Sequence, residues 1–135
     1  MSTLRVTLRL PLPPSINQQY ATVNGRRVLS QTSRTYKRKV IRQIKNWRDR
    51  GLISDEFVQS AQAGYLAMFI DFYFETPLRR DLDGGLKIAQ DAICAGLGMD
   101  DRRVVDIHLI KRTDRARPRI EVELEAIPEW SFGSA

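Results

Sequence analysis

The chain has 135 residues, enough for one domain to bury a core without the help of disulfides. Its one cysteine, Cys94, excludes an internal disulfide framework and a cysteine-based zinc site. No apolar run reaches the length of a membrane span, and the N-terminus lacks the apolar block of a signal peptide. We therefore expect a cytoplasmic globular protein.

The net charge of +6 is unevenly distributed along the chain. Residues 1–50 carry twelve Lys and Arg and one acid, whereas the remainder carries ten basic and fifteen acidic residues. The two halves either neutralise one another inside the fold, or form a basic surface for a polyanion beside an acidic pocket for a cation. The charge distribution alone is compatible with both arrangements.

The N-terminal part predicts a strand, a loop and a hairpin. Residues 4–12 alternate between apolar and polar, which indicates a strand with one apolar face: Leu4, Val6, Leu8 and Leu10. Prolines end this strand, and residues 15–19 form a polar loop. The Asn24-Gly25 pair tolerates positive φ and therefore predicts a type I′ turn between short strands at 20–23 and 26–29.

A basic amphipathic helix is predicted over residues 34–50. Thr32 or Ser33 is placed to cap it, and Gly51 ends it. Its apolar stripe has helical spacing: Tyr36, Val40, Ile44 and Trp47. The other side is basic: Arg34, Lys37, Arg38, Arg42, Lys45 and Arg48. Such a side is either solvated or a surface for DNA phosphates, and the helix pattern leaves both open.

The remaining elements complete an α+β pattern. Residues 52–64 are weakly patterned and predict a loop or helical turn, and residues 65–75 predict a strand in the centre of a sheet. A second helix is predicted over 84–96, followed by strands at 104–111 and 119–126. We expect a single α+β domain over residues 1–135, with a mixed sheet packed against two main helices.

Six aspartates lie close together in the sequence: Asp81, Asp83, Asp91, Asp100, Asp101 and Asp106. Asp81 and Asp83 lie two apart at a strand-to-helix junction, where extended backbone would point both side chains to one face. Asp101 is the candidate third member of the set. Several carboxylates around a hydrated ion are typical of Mg²⁺ sites, and such ions activate water at phosphodiesters.

Each aspartate also has a local interpretation. Asp83 is placed to cap the second helix, and Asp91 can pair with Lys87 across one helical turn. The Asp100-Asp101 pair is typical of a turn. Spacing alone therefore leaves a metal site and ordinary local structure as alternatives.

Basic residues surround these acids. Lys87 lies one turn beyond Asp83, so its ammonium can reach a scissile phosphate or an attacking water. Four arginines bracket the acids and can bind neighbouring phosphates: Arg79, Arg80, Arg102 and Arg103. Further candidates for DNA contact lie on the hairpin and the basic helix: Arg26, Arg27, Arg38, Arg42 and Lys45.

Three other residues have mainly structural interpretations. His108 lies beside Asp106 in a predicted strand, and we expect a surface or packing role rather than general base catalysis. Trp47 continues an apolar stripe and is expected in the core. Cys94 is expected to be a small buried residue.

Several blocks along the chain together resemble one family. They are Arg-Arg-Asp-Leu-Asp at 79–83, Lys87, Asp-Ala-Ile at 91–93, Asp-Asp at 100–101 and Val-Val-Asp at 104–106. Near the start, Pro-Pro-Ser-Ile-Asn at 13–17 is followed by Tyr20. In this order and spacing the blocks resemble the RusA-type Holliday-junction resolvases, which are small, often phage-derived endodeoxyribonucleases. The resemblance covers nearly the whole chain, apart from a loose stretch at 51–64.

The resemblance implies a homodimer of α+β subunits that binds a four-way junction and makes paired, symmetric cuts. It implies Mg²⁺ as cofactor, with Mn²⁺ as a substitute. The family's essential aspartates fall on Asp81, Asp83 and Asp101, and its essential lysine falls on Lys87. The sequence departs from the family at Gly84-Gly85, where asparagine and leucine are usual. Two alternatives are a metal nuclease for flaps, forks or other branches, and an inactive branched-DNA-binding protein of the same fold.

Overall fold

The structure, a computed structural model, describes residues 4–78 and 80–133. Its strands are β1 (Leu4–Leu10), β2 (Tyr20–Val23), β3 (Arg26–Leu29), β4 (Tyr65–Phe74), β5 (Val104–Thr113) and β6 (Arg119–Ile127). Its helices are α1 (Gln31–Asp49), α2 (Asp55–Ala63) and α3 (Leu86–Leu97). Short 3₁₀ turns occur at Ile16–Gln18, Leu82–Gly85 and Asp101–Arg103. In these residues no helix is both long and apolar enough to cross a membrane.

Four strands form one mixed sheet in the order β1-β6-β4-β5. β6 runs antiparallel to both β1 and β4, whereas β4 and β5 are parallel. Parallel neighbours need a crossover connection, and α3 lies in that connection. The predicted α+β fold with a mixed sheet and a central strand at 65–75 is therefore confirmed, and the acidic segment lies between β4 and α3.

The core lies between one face of the sheet and the helices. Every second residue of the two central strands is buried on that face: Leu66, Met68, Ile70, Phe72 and Phe74 in β4, and Ile120, Val122, Leu124 and Ala126 in β6. α1 and α3 contact one another, and their buried residues belong to the same cluster. The predicted stripe of α1 is confirmed, with Trp47 partly buried against this core.

Two local predictions were wrong. α1 begins at Gln31, and its cap is Ser30, whose Oγ accepts a hydrogen bond from the Ser33 amide at 3.1 Å. Ser33 is itself buried, and its hydroxyl donates to the Gln19 carbonyl, so it cannot serve as the cap. The weakly patterned stretch forms α2, capped by Ser54, because Phe57, Val58 and Ala61 give it a buried face.

The hairpin turn was predicted correctly. Asn24 and Gly25 both have positive φ, 52° and 75°, as a type I′ turn requires. The hairpin pairs β2 with β3 in a separate two-stranded sheet, and the side chains of β2 are exposed.

The open face of the four-stranded sheet joins the two oppositely charged parts of the chain. Arg5 bonds to Glu123 and Glu125 at 2.9 and 3.2 Å, and Arg9 bonds to Glu121 at 3.0 Å. These pairs are partly exposed, so each contributes little to stability. Opposite charges therefore neutralise one another on these strands, whereas Arg38, Arg42 and Lys45 of α1 are exposed.

Candidate active site

Asp81 and Asp83 lie on a tight turn directly before α3. Asp81 has extended backbone, and the 3₁₀ turn Leu82–Gly85 follows it. The residue that precedes α3 is Gly85, which has no side chain to form a cap. Asp83 lies inside the 3₁₀ turn, so its predicted role as a helix cap is wrong. Asp81 forms no side-chain cap hydrogen bond either, and both carboxylates are exposed.

Lys87, at the start of α3, connects this helix to the Asp101 segment. Its Nζ donates to Asp91 Oδ1 and to Asp101 Oδ2, both at 2.9 Å. These hydrogen bonds raise the pKa of Lys87, so the side chain is an ammonium at neutral pH. The same ammonium lowers the pKa of Asp101, which is therefore a carboxylate. The predicted pairing of Lys87 with Asp91 is confirmed.

Asp100 has a different role from its neighbour. Its Oδ1 accepts from the Arg102 amide at 2.9 Å, and its Oδ2 accepts from the Arg102 guanidinium at 2.7 and 3.0 Å. These bonds lower the pKa of Asp100 to about 2. The turn interpretation is thus confirmed for Asp100, whereas the Asp101 carboxylate is directed to Lys87.

The donor chemistry fits a hard divalent cation, because Asp81, Asp83 and Asp101 all offer carboxylate oxygens. Asp101 already binds a cationic group, the Lys87 ammonium. In residues 4–78 and 80–133, however, no three carboxylate, imidazole or thiol groups converge closely enough to hold a metal ion. The predicted ligands therefore lie on the turn before α3 and on the turn after it. Asp101 forms an ion pair with Lys87 and is not grouped with Asp81 and Asp83.

The proline-rich loop after β1 braces the acidic turn. Gln19 is buried, and its Nε2 donates to the carbonyls of Pro14 at 3.0 Å and Gly84 at 2.5 Å. Arg80 Nη2 donates to the Pro13 carbonyl at 2.6 Å. A buried glutamine satisfied by two backbone carbonyls fixes their separation, because breaking either bond leaves a buried polar group unpaired. Sequence reasoning placed Gln19 in a polar loop and missed this role.

A second brace comes from β5. Lys111 Nζ donates to the carbonyls of Pro77 and Arg80, at 3.0 and 2.8 Å. Lys111 is opposite Phe72 in the parallel pairing, near the end of β4. The connection before Asp81 is thus held from the sheet as well as from the proline loop. A cleft of about 160 Å³ opens beside Asp81, and Ser15 and Asn17 line it.

The two glycines of the turn are not equivalent. A Cβ on Gly85 would lie 2.4 Å from Pro13 Cγ and 3.5 Å from Phe72, so the proline loop approaches this backbone too closely for a side chain. A Cβ on Gly84 would meet only Ile16, at 4.0 Å. In this structure the close approach of the proline loop therefore leaves no room for a side chain at Gly85, whereas Gly84 has room for one.

Gly85→Ala is accordingly expected to destabilise the protein, by about 1–3 kcal/mol, because overpacking moves the proline loop away from the acidic turn. Gly84→Ala is the matched control and should change the free energy of unfolding by less than about 0.5 kcal/mol. Urea denaturation followed by circular dichroism measures both. Equal losses in the two variants would contradict the close approach of Pro13.

The candidate DNA-binding residues divide into two groups. Arg38, Arg42 and Lys45 line a groove of about 430 Å³ on the exposed side of α1. Arg26 and Arg27 are exposed on the hairpin, where the Arg27 guanidinium lies 4.1 Å from the centre of the Tyr20 ring. Both sets of side chains are accessible to DNA phosphates and stay candidates for DNA binding.

The arginines nearer the acids have structural partners. Arg80 binds the Pro13 carbonyl, Arg102 binds Asp100, and Arg103 Nη1 donates to the Gly64 carbonyl at 2.9 Å. Arg48, at the end of α1, donates to the Gly96 carbonyl. Arg79 lies outside the described residues.

His108 and Cys94 lie where a structural role was expected. The His108 ring stacks on Phe69 with centroids 4.8 Å apart, and its Nε2 lies 3.0 Å from Asp106 Oδ1. Cys94 is buried in α3, and this burial raises the pKa of its thiol to about 12. The thiol is therefore protonated and unreactive at neutral pH.

A mixed sheet with an acidic strand-to-helix turn and an adjoining lysine is consistent with a metal-dependent nuclease. Residues 11–125 match the family model described as Endodeoxyribonuclease RusA. The chain is 33% identical over 126 residues to the crossover junction endodeoxyribonuclease RusA of Shigella sonnei (strain Ss046), covering 92% of this chain and 95% of the relative. The same protein from Escherichia coli (strain K12) matches with identical figures.

A third relative, from Escherichia coli O139:H28 (strain E24377A / ETEC), is 35% identical over 113 residues, covering 82% of this chain and 84% of the relative. Its printed name is also crossover junction endodeoxyribonuclease RusA. The chain belongs to the RusA family of endodeoxyribonucleases. The family resemblance of the sequence blocks is thereby confirmed.

Proposed function

We propose that this protein is a Mg²⁺-dependent, structure-selective endodeoxyribonuclease that resolves Holliday junctions by paired, symmetric incisions. Its relatives are named crossover junction endodeoxyribonucleases. The observation that carries the proposal is the braced acidic turn, where the side chains of Asp81 and Asp83 cap no helix and precede Lys87 by six and four residues. A turn held by partly buried hydrogen bonds but carrying exposed carboxylates is suited to binding a cation.

In this proposal, Asp81, Asp83 and Asp101 hold the divalent ion, which we propose is Mg²⁺ with Mn²⁺ as a substitute. When bound, such an ion activates the attacking water and stabilises the leaving oxygen of a phosphodiester. Lys87 provides a fixed positive charge beside Asp101 for the phosphate at which negative charge develops. Gln19 and Arg80 keep the acidic turn at a constant position relative to the proline loop.

We assign DNA binding to the basic surfaces on the same chain. The groove on α1 offers Arg38, Arg42 and Lys45, and the hairpin offers Arg26 and Arg27. Phosphate contacts from such side chains position a protein on DNA without reading its sequence. Arg79 and Arg80 are proposed to contact phosphates next to the acidic turn.

We further propose a homodimer of single-domain subunits, each spanning residues 1–135, that acts on four-way DNA in the cytoplasm. Two cuts in strands of like polarity need two equivalent sites, and each chain supplies one acidic turn. Light scattering at micromolar concentration without DNA is expected to give twice the chain mass of 15.5 kDa. A clean monomer mass under these conditions would count against paired incision by a preformed dimer.

The decisive experiment is cleavage of a synthetic four-way junction with MgCl₂, compared with a flap, a fork and a linear duplex. We expect paired cuts at symmetric positions in the junction and little cleavage of the linear duplex. Preferential cutting of flaps or forks would instead identify a nuclease for other branches. Binding without cutting of any substrate would identify a branched-DNA-binding protein.

A further inference from the structure

Asp91 contacts Lys87 directly, although the proposed nuclease function gives it no part. It lies one helical turn beyond Lys87 on α3, and the Lys87 Nζ bridges its Oδ1 and Asp101 Oδ2 with two bonds of 2.9 Å. The Lys87 side chain is 67% exposed, whereas each carboxylate is 31% exposed. A long, exposed lysine is therefore held by two shorter and less exposed groups.

The two carboxylates reach Lys87 from different elements. Asp91 belongs to the same helix as Lys87, so their separation is fixed by helical geometry. Asp101 belongs to the following 3₁₀ turn and is one of the three proposed cation ligands. A carboxylate that binds a cation has less capacity to bind the ammonium, and the contact from Asp91 then becomes the one that orients Lys87.

Helix stability does not account for this pair. An acid placed four residues after a lysine is the less favourable order for a helical ion pair, and such pairs on an exposed surface contribute little. Asp100, by contrast, is already bound by Arg102 and does not contact Lys87. Asp91 is therefore the residue placed to orient the lysine from within the helix.

We propose that Asp91 is a positioning residue, which holds the Lys87 ammonium at the site independently of Asp101. The inference rests on the proposed nuclease function for its catalytic consequence, but not for the contact itself. Without Asp91, Lys87 would depend on a carboxylate that the cation also requires, and its flexible stem would spend less time beside the reacting phosphate. Asp91 thus lets Asp101 and Lys87 act on different partners at the same time.

The contact is tested on the DNA-free protein by ¹⁵N NMR of lysine ammonium groups. The chain has five lysines, and the Lys87 signal is assigned by its loss in Lys87→Gln. In the wild type, we expect this signal to be protected from hydrogen exchange and to persist when MgCl₂ is added. In Asp91→Asn it should broaden, and MgCl₂ should remove it. Unchanged protection in Asp91→Asn, with and without MgCl₂, would overturn the proposal.

The catalytic consequence is tested by a double-mutant cycle on junction cleavage. Asp91→Asn should lower kcat by about tenfold or more, as loss of a residue that orients a site group commonly does, with junction affinity unchanged. If Asp91 acts through Lys87, Lys87→Gln/Asp91→Asn should be no slower than Lys87→Gln alone. Asp91→Glu, which keeps the charge within reach, should recover activity. Independent, multiplicative losses would refute the positioning role.

The controls separate this proposal from other failures. Asp100→Asn removes a neighbouring negative charge and should leave both the Lys87 signal and kcat unchanged, because Lys87 pairs with Asp91 and Asp101 and asparagine can still accept from the Arg102 amide. Equal melting temperatures for Asp91→Asn and the wild type exclude a folding defect. A wild type that cleaves no branched DNA would refute the proposed function, whereas the ammonium spectrum would still decide the contact.

Discussion

Replacing Asp81 or Asp83 by asparagine is expected to lower junction cleavage by about 10²- to 10³-fold or more, the loss seen when one charge-stabilising group is removed from an active site. Asparagine keeps the shape of the side chain but removes the negative charge that attracts a divalent ion. Junction affinity should persist, since it depends on basic surfaces elsewhere, and it should rise slightly as repulsion from DNA phosphates falls. Gel shift in the presence of CaCl₂ and cleavage in MgCl₂ measure the two quantities separately.

The structure also predicts that these variants lose cleavage without losing stability. Neither carboxylate caps a helix, and both are exposed, so asparagine should leave the melting temperature nearly unchanged. Asp100→Asn provides the matched control for a neighbouring acid, because Asp100 is held by Arg102. If both Asp81→Asn and Asp83→Asn cleave junctions nearly as fast as the wild type, the hypothesis that these aspartates bind the divalent ion is contradicted.

The second large effect is expected from the exposed side of α1. Replacing Arg38, Arg42 and Lys45 by alanine should weaken binding to junction and linear DNA alike. Each lost phosphate contact lowers the dependence of log affinity on log salt by about one unit, so the triple variant should lose about three units of slope. Fluorescence anisotropy over a series of KCl concentrations measures the slope directly.

A matched control removes the same number of charges from the open face of the sheet. Arg5, Arg9 and Arg112 lie there, and each is already paired with an acid: Glu123 and Glu125, Glu121, and Asp71. The control variant, with all three replaced by alanine, should keep a slope close to that of the wild type. An equal loss of slope in the two triple variants would mean that net charge, rather than the α1 groove, determines DNA affinity.

Local patterns in the sequence were sufficient to predict most of the secondary structure. Alternation identified β1 and β6, and helical spacing identified the buried stripe of α1, because burial of one face repeats with the period of the element. β4 was identified by its strand-forming residue composition. The Lys87–Asp91 pair was also predictable, since residues four apart on a helix are neighbours whatever surrounds them. The position of Asp81 and Asp83 before a helix followed from the same local information.

Which of several neighbouring polar residues caps α1 could not be predicted from the local sequence. Ser30, Thr32 and Ser33 all suit a helix cap, and the structure selects Ser30 because Ser33 is buried against the Gln19 carbonyl. That carbonyl belongs to the segment before the hairpin, so the selection depends on how two separate segments pack. Propensity ranks the candidates almost equally and cannot make this choice.

The sequence by itself determined the family, the order of elements and the side chains available for chemistry. Only the tertiary structure decided how they meet. Gln19 and Pro13 brace Gly84 and Gly85 across more than sixty residues of chain, and the Asp101 carboxylate binds Lys87 rather than grouping with Asp81 and Asp83. Such contacts depend on how the sheet and α3 bring distant turns together, and no periodic pattern within a single element records that approach.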